Sequence, residues 1–132
     1  MKKILIVDDD EGLVMMLPEF FNKEMFVFVN DYPMENFELE QIVSLIKKEE
    51  PQIVLLDHSF SYSCNGLKVA QEISVIPPAT QPLVLSTSII VLTNDDLMSK
   101  YVQFGVSHFP SKDCLRIVNC VLEICDCKEK YF

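Results

Sequence analysis

Hydrophobic residues along the chain occur in two alternating patterns. Short continuous apolar runs predict strands covered on both faces, since such strands bury every side chain. We place five strands at residues 3–7, 26–29, 53–56, 83–85 and 106–110. Between them, apolar residues recur at helical spacing. This spacing predicts helices at residues 11–23, 39–48, 67–76 and 97–104, and a last helix capped by Asp113.

The alternation of strand and helix predicts the fold class. Five strand-helix units favour parallel pairing with right-handed crossovers. We therefore expect an α/β protein with a flavodoxin-like, doubly wound parallel sheet in the strand order 2-1-3-4-5, forming a single domain over residues 1–132. Within it, Pro18 should kink the first helix, because proline removes a backbone hydrogen bond. Such sheets bind ligands at the carboxyl ends of their strands, where the strand order reverses.

Acidic residues follow two strands that this order makes neighbours. Asp8 and Asp9 end the first strand, and Asp57 ends the third. Three converging carboxylates repel one another, and they suit a hard cation such as Mg²⁺, which would offset the repulsion. The next two acids, Asp10 and Glu11, are expected to point away, into solvent and the first helical turn, where the helix dipole favours negative charge.

Two further residues complete a candidate phosphoryl site. Lys112 ends the fifth strand, and a hydroxyl at the end of the fourth strand, from Thr87 or a neighbour, would lie nearby. In this arrangement Asp57 is the nucleophile, Mg²⁺ neutralises developing charge, and Lys112 and Thr87 hold the phosphoryl oxygens.

These motifs together resemble the receiver domain of two-component response regulators. The segments are IVDDD, IVLLDH, a hydroxyl residue after the fourth strand, and FPSKD. The resemblance implies that a histidine kinase or a histidine phosphotransfer protein phosphorylates Asp57. It also implies that the backbone carbonyl of Ser59 joins Asp8, Asp9 and Asp57 as metal ligands, that Lys112 contacts the phosphoryl group, and that Phe109 repacks when the hydroxyl moves.

The fourth strand departs from the family pattern. If QPLVLSTS is the strand, Thr87 is the switch hydroxyl; if IIVLTND is the strand, Thr93 is. We favour Thr87, because this alignment needs one small insertion rather than two changes. Residues 89–91 would then form an apolar loop that is suited to partner docking. Ser61 also replaces a proline that is frequent in the family.

Charge and length limit the classes of partner. The chain has 11 basic and 20 acidic residues and a net charge of -9, which argues against nucleic acid as a partner. No apolar stretch suits a secretion signal or a membrane span, so we expect a cytoplasmic protein without membrane contact. The expected form is a monomer or a phosphorylation-dependent dimer. His58 is expected to be a loop residue, and Met15, Met16 and Met98 to fill the core.

The function expected from these features is a stand-alone signalling switch that acts by protein contact and catalyses only its own phosphorylation and dephosphorylation. Two alternatives remain open at this point. One is a receiver-like binding module that no longer takes phosphate. The other is a small phosphatase resembling the haloacid dehalogenase-like hydrolases, with Asp8 as nucleophile and Asp10 as acid/base in the Asp-x-Asp spacing.

Overall fold

A parallel sheet forms the centre of the molecule. The computed structural model describes residues 1–130, with the side chains of 79 and 126–130 left out, and residues 131 and 132 of the predicted domain lie outside this part. Four strands form the sheet in this part: β1 (Lys2–Val7), β2 (Phe26–Phe28), β3 (Ile53–Leu56) and β4 (Leu83–Ser86). Their order is β2-β1-β3-β4, and all pairs are parallel. The doubly wound, flavodoxin-like class is confirmed.

Helices connect the strands and cover both faces of the sheet. They are α1 (Glu11–Met16), α2 (Leu39–Glu49), α3 (Gly66–Ser74), α4 (Ile89–Leu92), α5 (Asp95–Gln103) and α6 (Cys114–Lys130). The apolar segment after β4, predicted as a loop, is thus a single helical turn, α4. Among the described residues, no helix combines the length and the hydrophobicity that a membrane crossing requires.

The predicted fifth strand is reduced to one contact. His108 forms an isolated parallel bridge with Leu85, and its carbonyl accepts a hydrogen bond from the Ser86 backbone N–H at 3.0 Å. The Val106 N–H is already bonded to the Tyr101 carbonyl at the end of α5, and Pro110 has no N–H to donate. The segment lies beside β4 as expected, but Val106 and Pro110 donate no backbone hydrogen bond to β4.

The first predicted helix breaks at Pro18. Helix α1 ends at Met16, and a 3₁₀ turn covers Leu17–Phe20, so the expected kink is present. Met15 and Met16 are 62% and 58% exposed, so their predicted place in the core was wrong. The reason is that the apolar stripe of this short helix is formed by Leu13 and Val14, which leaves the methionines on the outer side.

The core has two layers, one on each face of the sheet. Side chains on one face pack under α2, α3 and α5, and side chains on the other pack under α1 and α6. Alternation along β1, β3 and β4 assigns each strand residue to a layer, as with Leu56 in the first and Leu55 in the second. The same alternation places Ser86, the last residue of β4, on the side of α3 and α5. Continued past the strand ends, the alternation directs Asp8, Asp57 and Thr87 towards α1 and α6, and His58 towards α3 and α5.

Candidate functional site

Three carboxylates converge at the carboxyl edge of the sheet, as the sequence predicted. Val7 of β1 pairs with Leu56 of β3, so the acids that follow these residues are neighbours. Asp8, Asp9 and Asp57 each place one carboxylate oxygen within 4.8 Å of the others. Asp8 is 1% exposed and Asp57 8% exposed, whereas Asp9 faces solvent.

Asp8 is a buried acid with half of its hydrogen-bonding capacity unused. Its Oδ1 accepts hydrogen bonds from the Asp10 backbone N–H at 2.9 Å and from Lys112 Nζ at 3.1 Å. Its Oδ2 is buried and has no hydrogen-bond partner in the described part of the chain. Burial, together with the charge of Asp57, raises the pKa of Asp8 to about 6. The protein alone therefore does not satisfy this carboxylate, which is the state that a bound cation would relieve.

Lys112 is shared among three acids. Its Nζ lies 3.1 Å from Asp8 Oδ1, 3.6 Å from Asp10 Oδ2 and 3.9 Å from Asp57 Oδ2. Burial by itself lowers the pKa of Lys112, but the surrounding carboxylates outweigh it and raise the pKa. Burial raises the pKa of Asp57, while Lys112 opposes that rise. The ammonium therefore stays charged and lies next to a carboxylate that is only partly stabilised.

Asp10 differs from its predicted orientation. It was expected to point away from the site, but its Oδ2 faces Lys112. Its Oδ1 accepts a hydrogen bond from the Leu13 backbone N–H at 3.2 Å and so caps α1. A cap at this position holds the side chain over the start of the helix, and the lysine lies within reach of the second oxygen. Glu11, in the first turn of α1, is exposed as expected.

The two candidate hydroxyls lie in different settings. Thr87 follows β4 directly, is buried, and donates its backbone N–H to the Leu56 carbonyl at 3.0 Å, so it lies beside Asp57. Thr93 ends α4, is exposed, and its hydroxyl donates to the Ile89 carbonyl at 2.9 Å. Only Thr87 of these two therefore lies at the edge where the acids converge.

The loop after β3 forms the outer wall of the site. Ser59 makes an antiparallel bridge with Asn65, which closes the base of this loop. Ser59 and Asp9 also line a surface cavity of about 320 Å³. Phe109, the aromatic residue before Lys112, is half-buried and packs against the core layer under α5.

One polar contact at this edge was not predicted. The Tyr101 hydroxyl lies 2.6 Å from His58 Nδ1, and Tyr101 is completely buried. The sequence held a signal for it, because Tyr101 falls on the inward side of α5 and a buried tyrosine hydroxyl needs a partner. His58, expected to be an ordinary loop residue, supplies that partner.

Comparison with known proteins identifies the family. Residues 4–117 match the family model of the response regulator receiver domain. The chain belongs to this family. Receiver domains are the phosphoacceptor switches of two-component signalling, so the family match favours the receiver over the hydrolase alternative. It agrees with the acidic edge and the lysine described above.

Individual relatives agree with this assignment. The chain is 30% identical over 88 residues to the sporulation initiation phosphotransferase F of Bacillus subtilis, and the match spans 64% of each chain. It therefore covers a little under two thirds of that relative. A LuxR-family DNA-binding response regulator from Staphylococcus aureus superposes with a TM-score of 0.74 at 18% identity, covering 94% of this chain and 98% of the other. The receiver domain of the putative regulator NarL from Mycobacterium tuberculosis gives 0.70 at 22% identity, covering 93% and 94%. At these identities the two structures support the fold.

Proposed function

We propose that this chain is the phosphoacceptor of a two-component system or phosphorelay and that Asp57 receives the phosphoryl group. The main support is the pairing of a nearly buried carboxylate with a charged lysine: Lys112 Nζ lies 3.9 Å from Asp57 Oδ2 at the ligand-binding edge of the sheet. The match to a phosphotransferase of a sporulation system is consistent with a relay intermediate.

Mg²⁺ fits the donor set at this edge. The proposed ligands are the carboxylates of Asp8, Asp9 and Asp57 and the backbone carbonyl of Ser59. All are hard oxygen donors of the kind that Mg²⁺ takes, and the buried Asp8 Oδ2 has no partner in the described part of the chain. When bound, the ion neutralises negative charge on the acids and on the phosphoryl oxygens.

The chemistry of the proposed transfer uses groups of this chain. A carboxylate oxygen of Asp57 bonds to phosphorus while the bond from phosphorus to the donor's imidazole nitrogen breaks. The electron pair of the broken bond stays on the imidazole, and the product is an acyl phosphate on Asp57. Lys112 offers its ammonium to a phosphoryl oxygen, and Thr87 offers its hydroxyl to another. Phe109 repacks as Thr87 moves.

The donor is proposed to be a histidine kinase or a histidine phosphotransfer protein. Helices α1 and α6 both begin at the site, where Asp10 and Lys112 form an ion pair. Their outer sides expose Met15, Met16 and Leu115, which are suited to contact with an apolar protein surface. Output is proposed to go to a downstream protein rather than to nucleic acid or a membrane, in the cytoplasm, with the chain as a monomer or a phosphorylation-dependent dimer. Catalysis extends only to its own phosphorylation and dephosphorylation.

Labelling with a small phosphoryl donor tests the proposal. Incubation with acetyl phosphate and Mg²⁺ should add one phosphoryl group per chain, as measured by mass spectrometry of the intact protein. Asp57→Asn should abolish labelling, whereas Asp31→Asn, which changes an exposed acid that is not part of the carboxylate cluster, should not. Labelling that persists in Asp57→Asn would disprove the assignment. The complete absence of labelling and of Mg²⁺ binding would indicate a binding module instead. Multiple turnover that survives Asp57→Asn but not Asp8→Asn would indicate the hydrolase.

A further inference from the structure

Tyr101 extends from helix α5 into the loop that follows Asp57. Its side chain is completely buried, and its hydroxyl lies 2.6 Å from Nδ1 of His58. The two rings also meet edge to face, with centroids 5.8 Å apart. A hydrogen bond and a ring contact therefore join α5 to the residue immediately after the proposed phosphoacceptor.

The tyrosine hydroxyl lies where the two ends of this loop meet. The Gly66 backbone N–H donates to the His58 carbonyl at 2.8 Å, which joins the start of α3 to the end of β3. A methyl group added at Gly66 would lie 2.6 Å from the Tyr101 hydroxyl and would overlap the Asp57 carbonyl oxygen. The hydroxyl therefore packs against the glycine that contacts the main chain of Asp57, as well as against His58.

The direction of the hydrogen bond follows from burial. Burial raises the pKa of the Tyr101 hydroxyl, so the hydroxyl keeps its proton and donates it. His58 Nδ1 is then the acceptor, which leaves the proton of the neutral ring on Nε2. A shift of the main chain at residues 57 and 58 must either break this bond, which leaves a buried donor and acceptor unpaired, or move Tyr101 with it.

Helix α5 is suited to transmit such a movement. Tyr101 is completely buried in the core layer that also contains Leu56 and Val84, so its ring is held among the side chains on this face of the sheet. On the outer side of the same helix Val102 is exposed, as are Lys100 and Gln103. A displacement of Tyr101 would therefore change the surface that α5 presents to other proteins.

We propose that Tyr101 is a positioning residue for Asp57, and that its hydrogen bond to His58 is the link through which α5 responds to phosphorylation. This inference rests on the proposed function, since it assigns a role to residues beside the same carboxylate. It is separate from Thr87 and Phe109, because the link runs through the residue that follows Asp57 and not through the end of β4.

Removal of the hydroxyl alone tests the link. Tyr101→Phe keeps the buried ring and deletes the donor, and His58→Leu deletes the acceptor. His58→Asn keeps an oxygen close to the position of Nδ1 and serves as the rescue variant. Tyr32→Phe is the control, since Tyr32 is exposed and stacks on Phe37. Urea denaturation of each variant establishes that it is folded under the assay conditions.

Two readouts separate positioning from a general loss of structure. Labelling by acetyl phosphate should slow at least threefold in Tyr101→Phe and in His58→Leu, the double variant should be no slower than either, and His58→Asn should recover most of the rate. Amide shifts induced by beryllofluoride should fall by more than half across Asp95–Gln103, but persist at Asp8 and Asp9.

The outcomes distinguish this inference from the proposed function. Wild-type rates and wild-type α5 shifts in Tyr101→Phe, with Asp57 still labelled, would overturn the link and leave the phosphoacceptor assignment intact. Additive slowing in the double variant would also overturn it, because residues joined by one bond are not independent. An unaltered chain that takes no label and binds no beryllofluoride would overturn both proposals.

Discussion

The polar edge of the sheet has two sides that differ in charge. Towards α1 and α6, Asp8 and Asp57 are buried, share one lysine, and have raised pKa values. Towards α3 and α5, His58 and Tyr101 are bonded to each other, and burial favours their neutral forms because it lowers the pKa of His58 and raises that of Tyr101. On the charged side Asp8 Oδ2 has no hydrogen-bond partner in the described part of the chain, and on the neutral side the same holds for Ser86 Oγ, although His58 and Tyr101 are bonded to each other. Ionisable groups that share a lysine and a neutral hydrogen-bonded pair are therefore separated across one sheet edge.

The largest expected effect comes from adding a methyl group at Gly66, on the neutral side of the edge. Gly66→Ala should lower the free energy of unfolding by about 3 kcal/mol, because the added methyl group overlaps the Asp57 carbonyl and crowds the Tyr101 hydroxyl. Urea denaturation measures the change. Gly12→Ala is the matched control, since its methyl group would meet only the Asp10 side chain, at 3.3 Å. Equal losses in the two variants would contradict the close approach at Gly66.

On the charged side, a substitution at Asp8 should raise the free energy of unfolding rather than lower it. Asp8→Asn removes a buried charge whose pKa is raised from 3.8 to about 6, so the metal-free chain should gain up to about 3 kcal/mol of stability at pH 7. The variant should also lose the Mg²⁺ dependence of labelling. Denaturation in the presence of a chelator, with and without added Mg²⁺, measures both. A destabilised variant in the chelator would show that Asp8 is already satisfied without a cation.

The pH dependence of the metal-free chain follows from the same shift. A carboxyl with a higher pKa in the folded chain binds its proton more tightly there, so protonation favours folding. The Asp8 contribution is present in full below pH 4 and is lost as the pH rises through about 6. Asp57, whose pKa is also raised, acts in the same direction. Unfolding free energies measured from pH 4 to pH 7 should therefore fall, and the slope should be smaller in Asp8→Asn.

The smallest expected change in stability is that of the two threonine variants, which differ instead in the lifetime of the phosphorylated chain. Thr87→Val and Thr93→Val both keep the branched shape and remove a hydroxyl, and each should change the free energy of unfolding by about 1 kcal/mol or less. Thr87→Val should alter the lifetime of the phosphorylated chain several-fold, because Thr87 lies beside Asp57 at the end of β4. Thr93→Val should lose the hydroxyl's bonds to the Ile89 and Ile90 carbonyls and leave the lifetime unchanged. A changed lifetime in Thr93→Val alone would reverse the assignment.

Features that depend on strand order could be predicted from the sequence. Asp8 and Asp57 each end a continuous apolar run, and parallel pairing of adjacent strands brings such ends together. Lys112 follows the segment that lies beside β4, so its approach to the same edge could also be anticipated.

Features that depend on the rotation of a helix about its axis, or on how a helix ends, could not be predicted from the sequence. The contact between Tyr101 and His58 requires the orientation of α5 about its own axis, which apolar spacing fixes only to within a broad face. The contact of Asp10 with Lys112 depends on how a capping side chain turns. The fifth strand was overestimated because the N–H of Val106 is used by the end of α5, a competition that the residue pattern does not reveal.

The closed base of the loop after β3 has a practical consequence. The Gly66 N–H bonds to the His58 carbonyl, and Ser59 pairs with Asn65, so the two ends are joined before the chain reaches the fully exposed Tyr62. Closing a longer loop across such a joined base adds little entropy cost. A fluorophore-binding peptide spliced in at Tyr62 should therefore leave the base of the loop paired, and the reporter would lie beside the cavity that Tyr62 lines with Asp9 and Ser59.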